Sequence, residues 1–165
     1  MGIPFEPAPM EIGPVRQETE VSVVRDLRGL PALAELVREF ASRVRSHVGD
    51  IRGLATYVPN EVHLQRYRPS SFGITPHLDG KRYRRLVAFF TTRGRARFTV
   101  LRERAGEALA RTSIGAGSLV LLRAPGLGGV RDGRPFHAIT PLGRRERVSV
   151  APRMNAWANE AGALL

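Results

Sequence analysis

Two kinds of apolar spacing divide the chain. Between Leu30 and Val48, the residues Leu33, Leu36, Val37, Phe40, Val44 and Val48 form one stripe on a 3.6-residue period. The opposite face carries Glu35, Arg38, Glu39, Arg43 and Arg45. Pro31 suits the first turn of a helix, and Gly49 suits the position just past its end. The spacing therefore predicts a supporting helix over 30–48 that packs its apolar stripe on a sheet. Ahead of it, Pro4, Glu6, Pro7, Pro9 and Glu11 punctuate residues 1–20, which predicts an irregular lead-in or a short edge strand.

From residue 60 onward the pattern changes to short runs separated by turn residues. The runs Val62–Arg68, Gly73–Leu78, Arg85–Thr92, Arg97–Arg102, Ser118–Arg123, Phe136–Thr140 and Arg147–Ala151 read as strands. Pro69-Ser70-Ser71, Asp79-Gly80, Arg93-Gly94, Gly115-Ala116-Gly117, Asp132-Gly133 and Pro141-Leu142-Gly143 mark the turns. Regularly spaced short strands predict a sandwich or a jelly roll, and one helix ahead of them fits on the outside of one sheet. The expected class is mainly β (α+β). The 165 residues suffice for a single domain, 1–165, whose barrel core runs over 60–153.

Composition narrows the chemistry. The chain has no cysteine, which excludes disulfides, thiolate sites and iron–sulfur clusters. No apolar run approaches membrane-spanning length, and the first residues lack the basic start and apolar run of a secretory signal, so the expected compartment is the cytoplasm, with no membrane partner. The formal net charge is +11. Residues 1–50 hold six Arg against eight acidic residues, and the excess of positive charge lies beyond them. It is densest over 81–104, where Lys81, Arg82, Arg84 and Arg85 directly follow a candidate site. Such a run fits a positive rim that attracts an anionic substrate, nucleic acid included. It equally fits an Arg-rich solvated surface from a GC-rich coding background, since Lys81 is the only lysine.

That candidate site begins at His77 and Asp79, one residue apart, which an extended strand points to the same side. Taken alone, the triplet also fits a surface strand end entering the Asp79-Gly80 turn. His137 falls on a later strand, where Phe136 and Ile139 make a core histidine an alternative. Two imidazoles and one carboxylate on one side of an iron leave its other positions open. Arg147 and Ser149 share a face of the last strand, and Arg153 has the same parity. A guanidinium inside a small barrel is costly unless it meets an anion, and its fork with a nearby hydroxyl suits a carboxylate. The alternative assigns Arg147 to the solvated run Arg144-Arg145-Glu146-Arg147. Upstream, His63, Gln65 and Tyr67 alternate on one face, with Tyr67 either a core aromatic or a hydroxyl reaching into the barrel. The glycines of 126–133 lack the Gly-Lys-Ser/Thr ending of a phosphate-binding loop.

As a set, Gln65-Arg66-Tyr67, His77-x-Asp79, His137, Arg147-x-Ser149 and Arg153 resemble the Fe(II)/2-oxoglutarate-dependent dioxygenases. The tyrosine upstream and the arginines six apart resemble their AlkB-like branch. The resemblance covers roughly residues 60–155. It implies a double-stranded β-helix with Fe(II) bound by His77, Asp79 and His137. It also implies 2-oxoglutarate held by Arg147 and Ser149 with support from Tyr67 and Arg153, and dioxygen as the second cosubstrate. No catalytic residue beyond the metal ligands is implied, and the reaction is hydroxylation or oxidative demethylation. Gln65 stands where the AlkB-like branch has Asn. The interval from His137 to Arg147 is shorter than in that branch and closer to the small-molecule oxygenases. The expected substrate is therefore a small molecule or a nucleic acid, with a protein side chain as a further class. Outside the enzyme class, a jelly-roll binding module for an anionic partner and a cupin-type protein with another metal are the alternatives. No pattern in the chain speaks to its oligomeric state.

Overall fold

The computed structural model describes residues 3–47, 51–158 and 164. Val48 and Gly49, the expected end of the helical stripe and its glycine, lie outside the described residues. Four short strands open the chain: β1 (Glu6–Pro7), β2 (Glu11–Ile12), β3 (Val15–Arg16) and β4 (Glu20–Val24). The helix α1 (Pro31–His47) follows, then β5 (Glu61–Tyr67), β6 (Ile74–His77), β7 (Tyr83–Arg93) and β8 (Arg95–Leu101). The chain continues with β9 (Ala108–Gly115), β10 (Leu119–Arg123), a 3-10 turn at Leu127–Gly129, β11 (Phe136–Leu142) and β12 (Arg147–Asn155). Among the described residues no helix is long and apolar enough to cross a membrane.

A six-stranded sheet in the order β1-β4-β5-β12-β7-β10 faces a four-stranded sheet in the order β6-β11-β8-β9, and the neighbours are antiparallel. This is a jelly roll, the double-stranded β-helix. Period-2 alternation sorts its side chains. On the large sheet Tyr67, Val87, Phe89 and Ala151 point inward and meet Phe98, Ile114 and Ile139 from the small one. Val62, Leu64, Leu86, Ala88 and Val150 point outward, where Val37, Phe40 and Val44 of α1 cover them. The helix thus backs the large sheet through the predicted stripe.

The structure differs from the pattern reading in two places. β4 pairs along β5, with Val21 opposite Gln65 and Val23 opposite His63, and β1 pairs β4, so the large sheet begins well before residue 60. The lead-in accordingly holds several short paired strands, β1 at the edge of the large sheet and β2 and β3 in a hairpin of their own. β9, unmarked by alternation, is exposed over most of its length. Its order comes from hydrogen bonding to β8 rather than from a buried face.

Gly94, at φ +74°, makes the turn between β7 and β8, and a Cβ there would run into the backbone of Glu146 and Arg147. A glycine at that point lets the turn lie against the start of β12.

Candidate metal centre

Register brings the first three residues together. β6 ends at His77, and His77 is the direct cross-strand partner of His137 on β11. The two rings lie 4.2 Å apart between centroids. Asp79 follows the strand end by two residues, and its Oδ2 lies 3.6 Å from Nε2 of His137. One ligand atom from each of the three falls within 4.8 Å of the others. The neighbouring hydrogen bonds fix which nitrogen is free. Nδ1 of His77 donates to the carbonyl of Thr75 at 2.9 Å, and Nδ1 of His137 donates to the carbonyl of Pro135 at 3.1 Å. Each Nε2 is left with its lone pair turned to the common point, as metal-binding histidines require.

Asp79 is held from both ends. Its carboxylate accepts from Arg153 at 3.3 Å, and its backbone carbonyl accepts from Arg134. Burial pushes the His77 imidazole down to about 4, with His137 adding to the shift. Burial works to raise the Asp79 carboxyl, but Arg153 and the neighbouring histidines together outweigh this and hold it low. A neutral His77 imidazole and an ionised Asp79 carboxylate are forms a metal ion needs.

Arg147 does not join the solvated run before it. It is fully enclosed and lies 5.5 Å from the centroid of the Tyr67 ring, its cross-strand partner. Its guanidinium donates to Thr91 Oγ1 at 2.9 Å and to Ser149 Oγ at 3.3 Å. Both partners are neutral. Its Nε and the Tyr67 hydroxyl are buried without a hydrogen-bond partner. Burial pulls the Arg147 guanidinium down and pushes the Tyr67 phenol up to about 12. Arg153, the other expected carboxylate binder, is turned to Asp79 and stacks 4.4 Å from the Tyr83 ring centroid. In this structure it supports Asp79.

His77, Asp79, His137, Tyr67 and Arg153 border a cavity of about 410 Å³ that His63 and Gln65 also line, and Arg147 lies behind Tyr67 rather than on the cavity surface. The β2–β3 hairpin roofs it through Pro9, Ile12 and Val15. That roof is tied to the strand carrying His77: the Arg16 amide donates to Thr75 Oγ1, and Thr75 Oγ1 donates back to the Arg16 carbonyl.

Pattern reading missed Thr91 and the roof. Thr91 sits in an apolar run where only the parity of β7 marks it as inward. For the roof, Ile12-Gly13-Pro14-Val15 is a turn signal between two apolar residues, masked by the surrounding prolines and acids. The basic stretch 81–104 is dispersed rather than gathered at one rim. Arg82 lines the cavity, Arg84 and Arg85 line a separate depression with Arg131, and Arg93 pairs with Glu146 at 2.6 Å.

No family model and no curated protein matches the chain. Solved structures do resemble it. A prolyl-4-hydroxylase from Pseudomonas putida aligns with a TM-score of 0.57 at 20% identity, over 92% of this chain and 76% of that one. OsALKBH1 aligns at 0.58 and 11% identity, over 91% and 84%. YcfD, a ribosomal oxygenase from Escherichia coli, aligns at 0.54 and 19% identity, over 87% of this chain and 33% of that one. At such identities the likeness speaks to the fold, which this chain shares with oxygenases.

Proposed function

We propose that the protein is an Fe(II)- and 2-oxoglutarate-dependent dioxygenase that hydroxylates its substrate. The observation that carries this is Arg147, a wholly buried cation facing only hydroxyl groups. A buried guanidinium without an anion is unfavourable, and here its own Nε and the Tyr67 hydroxyl beside it lack partners. A carboxylate would satisfy both. The same barrel holds two imidazoles and a carboxylate with free lone pairs converging on one point. A dicarboxylate with one end at a metal and the other at a guanidinium suits both features, so the residues fit the cofactor pair.

His77, Asp79 and His137 would hold Fe(II). Arg147, Ser149 and Tyr67 would hold the distal carboxylate of 2-oxoglutarate, with Thr91 keeping the guanidinium in place and Arg153 keeping Asp79 ionised and aimed. When bound, the metal and cosubstrate supply oxidative decarboxylation and transfer of oxygen to a nearby C–H bond. The barrel wall surrounds the candidate ligands and the hairpin roof limits what can enter. Arg147 and Arg153 preserve the AlkB-like spacing. The hairpin over the cavity and the dispersed arginines favour a small molecule over a nucleic acid.

The test is anaerobic addition of Fe(II) and 2-oxoglutarate, followed by visible spectroscopy. A weak metal-to-ligand charge-transfer band is expected, and His77→Ala should abolish it. Its absence from the wild-type protein, with metal bound, would overturn the assignment. Tight uptake of 2-oxoglutarate without metal would point to an anion-binding module instead.

A further inference from the structure

A second polar cluster faces the cavity, and the chemistry above leaves it unused. Glu61 is fully buried yet ionised. Burial works to raise its carboxyl, but hydrogen bonds from His63 and Asn155 bring it down to about 2. His63 Nε2 lies 2.7 Å from Glu61 Oε1. A carboxylate only accepts, so Nε2 carries the proton and Nδ1 keeps a lone pair. No hydrogen bond to Nδ1 occurs among the described residues, and His63 lines the cavity. Burial and the nearby Arg153 and Arg82 keep this imidazole neutral.

Arg82 and Tyr83 continue the wall. Arg82 donates to the Tyr83 hydroxyl at 2.7 Å, and that oxygen is 3.3 Å from the already protonated Nε2 of His63. The tyrosine oxygen is thus an acceptor on this side, and its own proton remains available to donate. Arg82 lies against two rings. Its guanidinium carbon lies 4.8 Å from the Tyr83 ring centroid and 5.9 Å from that of Trp157, and its carbonyl accepts from the Ala156 amide. Among the described residues it has no carboxylate partner. One wall of the cavity therefore offers a cation and a hydroxyl donor beside a neutral imidazole acceptor backed by a carboxylate. Apolar residues make up much of the remaining lining: Ala8, Pro9, Ile12 and Val15 near the hairpin, and Val21 and Val23 beside Gln65 and His63 on the neighbouring strand.

We propose that this wall recognises a free apolar α-amino acid. Arg82 and Tyr83 take its carboxylate, Nδ1 of His63 accepts from its ammonium group, and its hydrocarbon side chain lies under the hairpin roof. A fork-shaped cation matches a carboxylate, and the Glu61 charge behind His63 favours an ammonium over a neutral group. The inference deepens the dioxygenase reading by naming its substrate class, and rests on that reading for turnover alone.

Calorimetry on the protein loaded anaerobically with Fe(II) and 2-oxoglutarate tests it, using L-valine, L-leucine, L-isoleucine, L-methionine and L-proline. Each is compared with its analogue lacking the amino group and with its analogue lacking the carboxylate. At least one amino acid is expected to bind, at least about tenfold more tightly than either analogue, and to stimulate succinate release in air. Arg82→Gln should erase the preference over the analogue lacking a carboxylate. His63→Phe should erase the preference over the analogue lacking an amino group. A merely structural role would not produce this crossed pattern. Binding of none of the five, or equal loss of all ligands in both variants with the fold intact, would overturn the proposal. The charge-transfer band without amino-acid binding sinks only this inference. Amino-acid binding without the band sinks only the dioxygenase reading.

Discussion

The same pair of strands buries a charge at each end, and the two charges are treated differently. At one end of the β5–β12 ladder, Arg147 lies opposite Tyr67; at the other, Glu61 lies opposite Arg153. Glu61 has its oxygens met by His63 at 2.7 Å, Asn155 at 2.9 Å and Arg25 at 3.4 Å. Arg147 has two hydroxyls and an unpartnered Nε. A charge satisfied by its own fold contributes to stability and fixes its neighbours. A charge left short of a counterion destabilises the empty protein and is held for a ligand. On the proposed reading, the difference separates a positioning carboxylate from a ligand-binding guanidinium without reference to any relative.

The sharpest way to break this contrast is Arg147→Met. We expect 2-oxoglutarate affinity, followed by titration of the charge-transfer band, to fall about 100-fold or more, since a buried charge-assisted pair is lost. Thermal denaturation of the empty variant should show no loss of stability and a gain of about 1 kcal/mol. Destabilisation instead would mean that Arg147 is already satisfied.

The mirror substitution, Glu61→Ala, should cost about 3 kcal/mol in denaturant unfolding, because it strands the donors of His63 and Asn155. Cosubstrate affinity measured under folding conditions should hardly change.

Acid sharpens the same point. The Glu61 carboxyl drops from an ordinary 4.5 to about 2 in the fold. Its contribution is therefore fully present above pH 4.5 and lost as pH falls from there toward 2. Glu61→Gln should flatten that part of the stability-against-pH curve, and an unchanged slope would show that Glu61 is not the group responsible.

The smallest effect is expected from Thr91→Val. It removes one neutral partner of Arg147 and should weaken 2-oxoglutarate binding about fivefold, in keeping with about 1 kcal/mol for one hydrogen bond. An effect as large as that of Arg147→Met would instead make Thr91 a direct ligand contact.

Much of this site was legible before folding. His77, Asp79 and His137 stand out because their residue types are rare on strands and their parity is simple, and Ser149 follows from Arg147 by the same period. Arg153 was legible as inward but not in its partner. Pro152 left the strand's end ambiguous, and only the continuation of β12 to Asn155 shows that Arg153 reaches Asp79. Thr91 was hidden in an apolar run, and the hairpin roof among prolines and acids.

The sequence by itself determined the amphipathic helix, the alternation of the central strands and the ligand types available, because these follow from local periodicity and side-chain chemistry. Tertiary structure alone decided that His77 pairs across strands with His137, that Arg147 is enclosed while Arg144 and Arg145 are not, and that Glu61, His63 and Arg82 meet at one wall. Those outcomes depend on which strands become neighbours and in what register. Register is fixed by the burial of whole sheet faces rather than by any local run of residues.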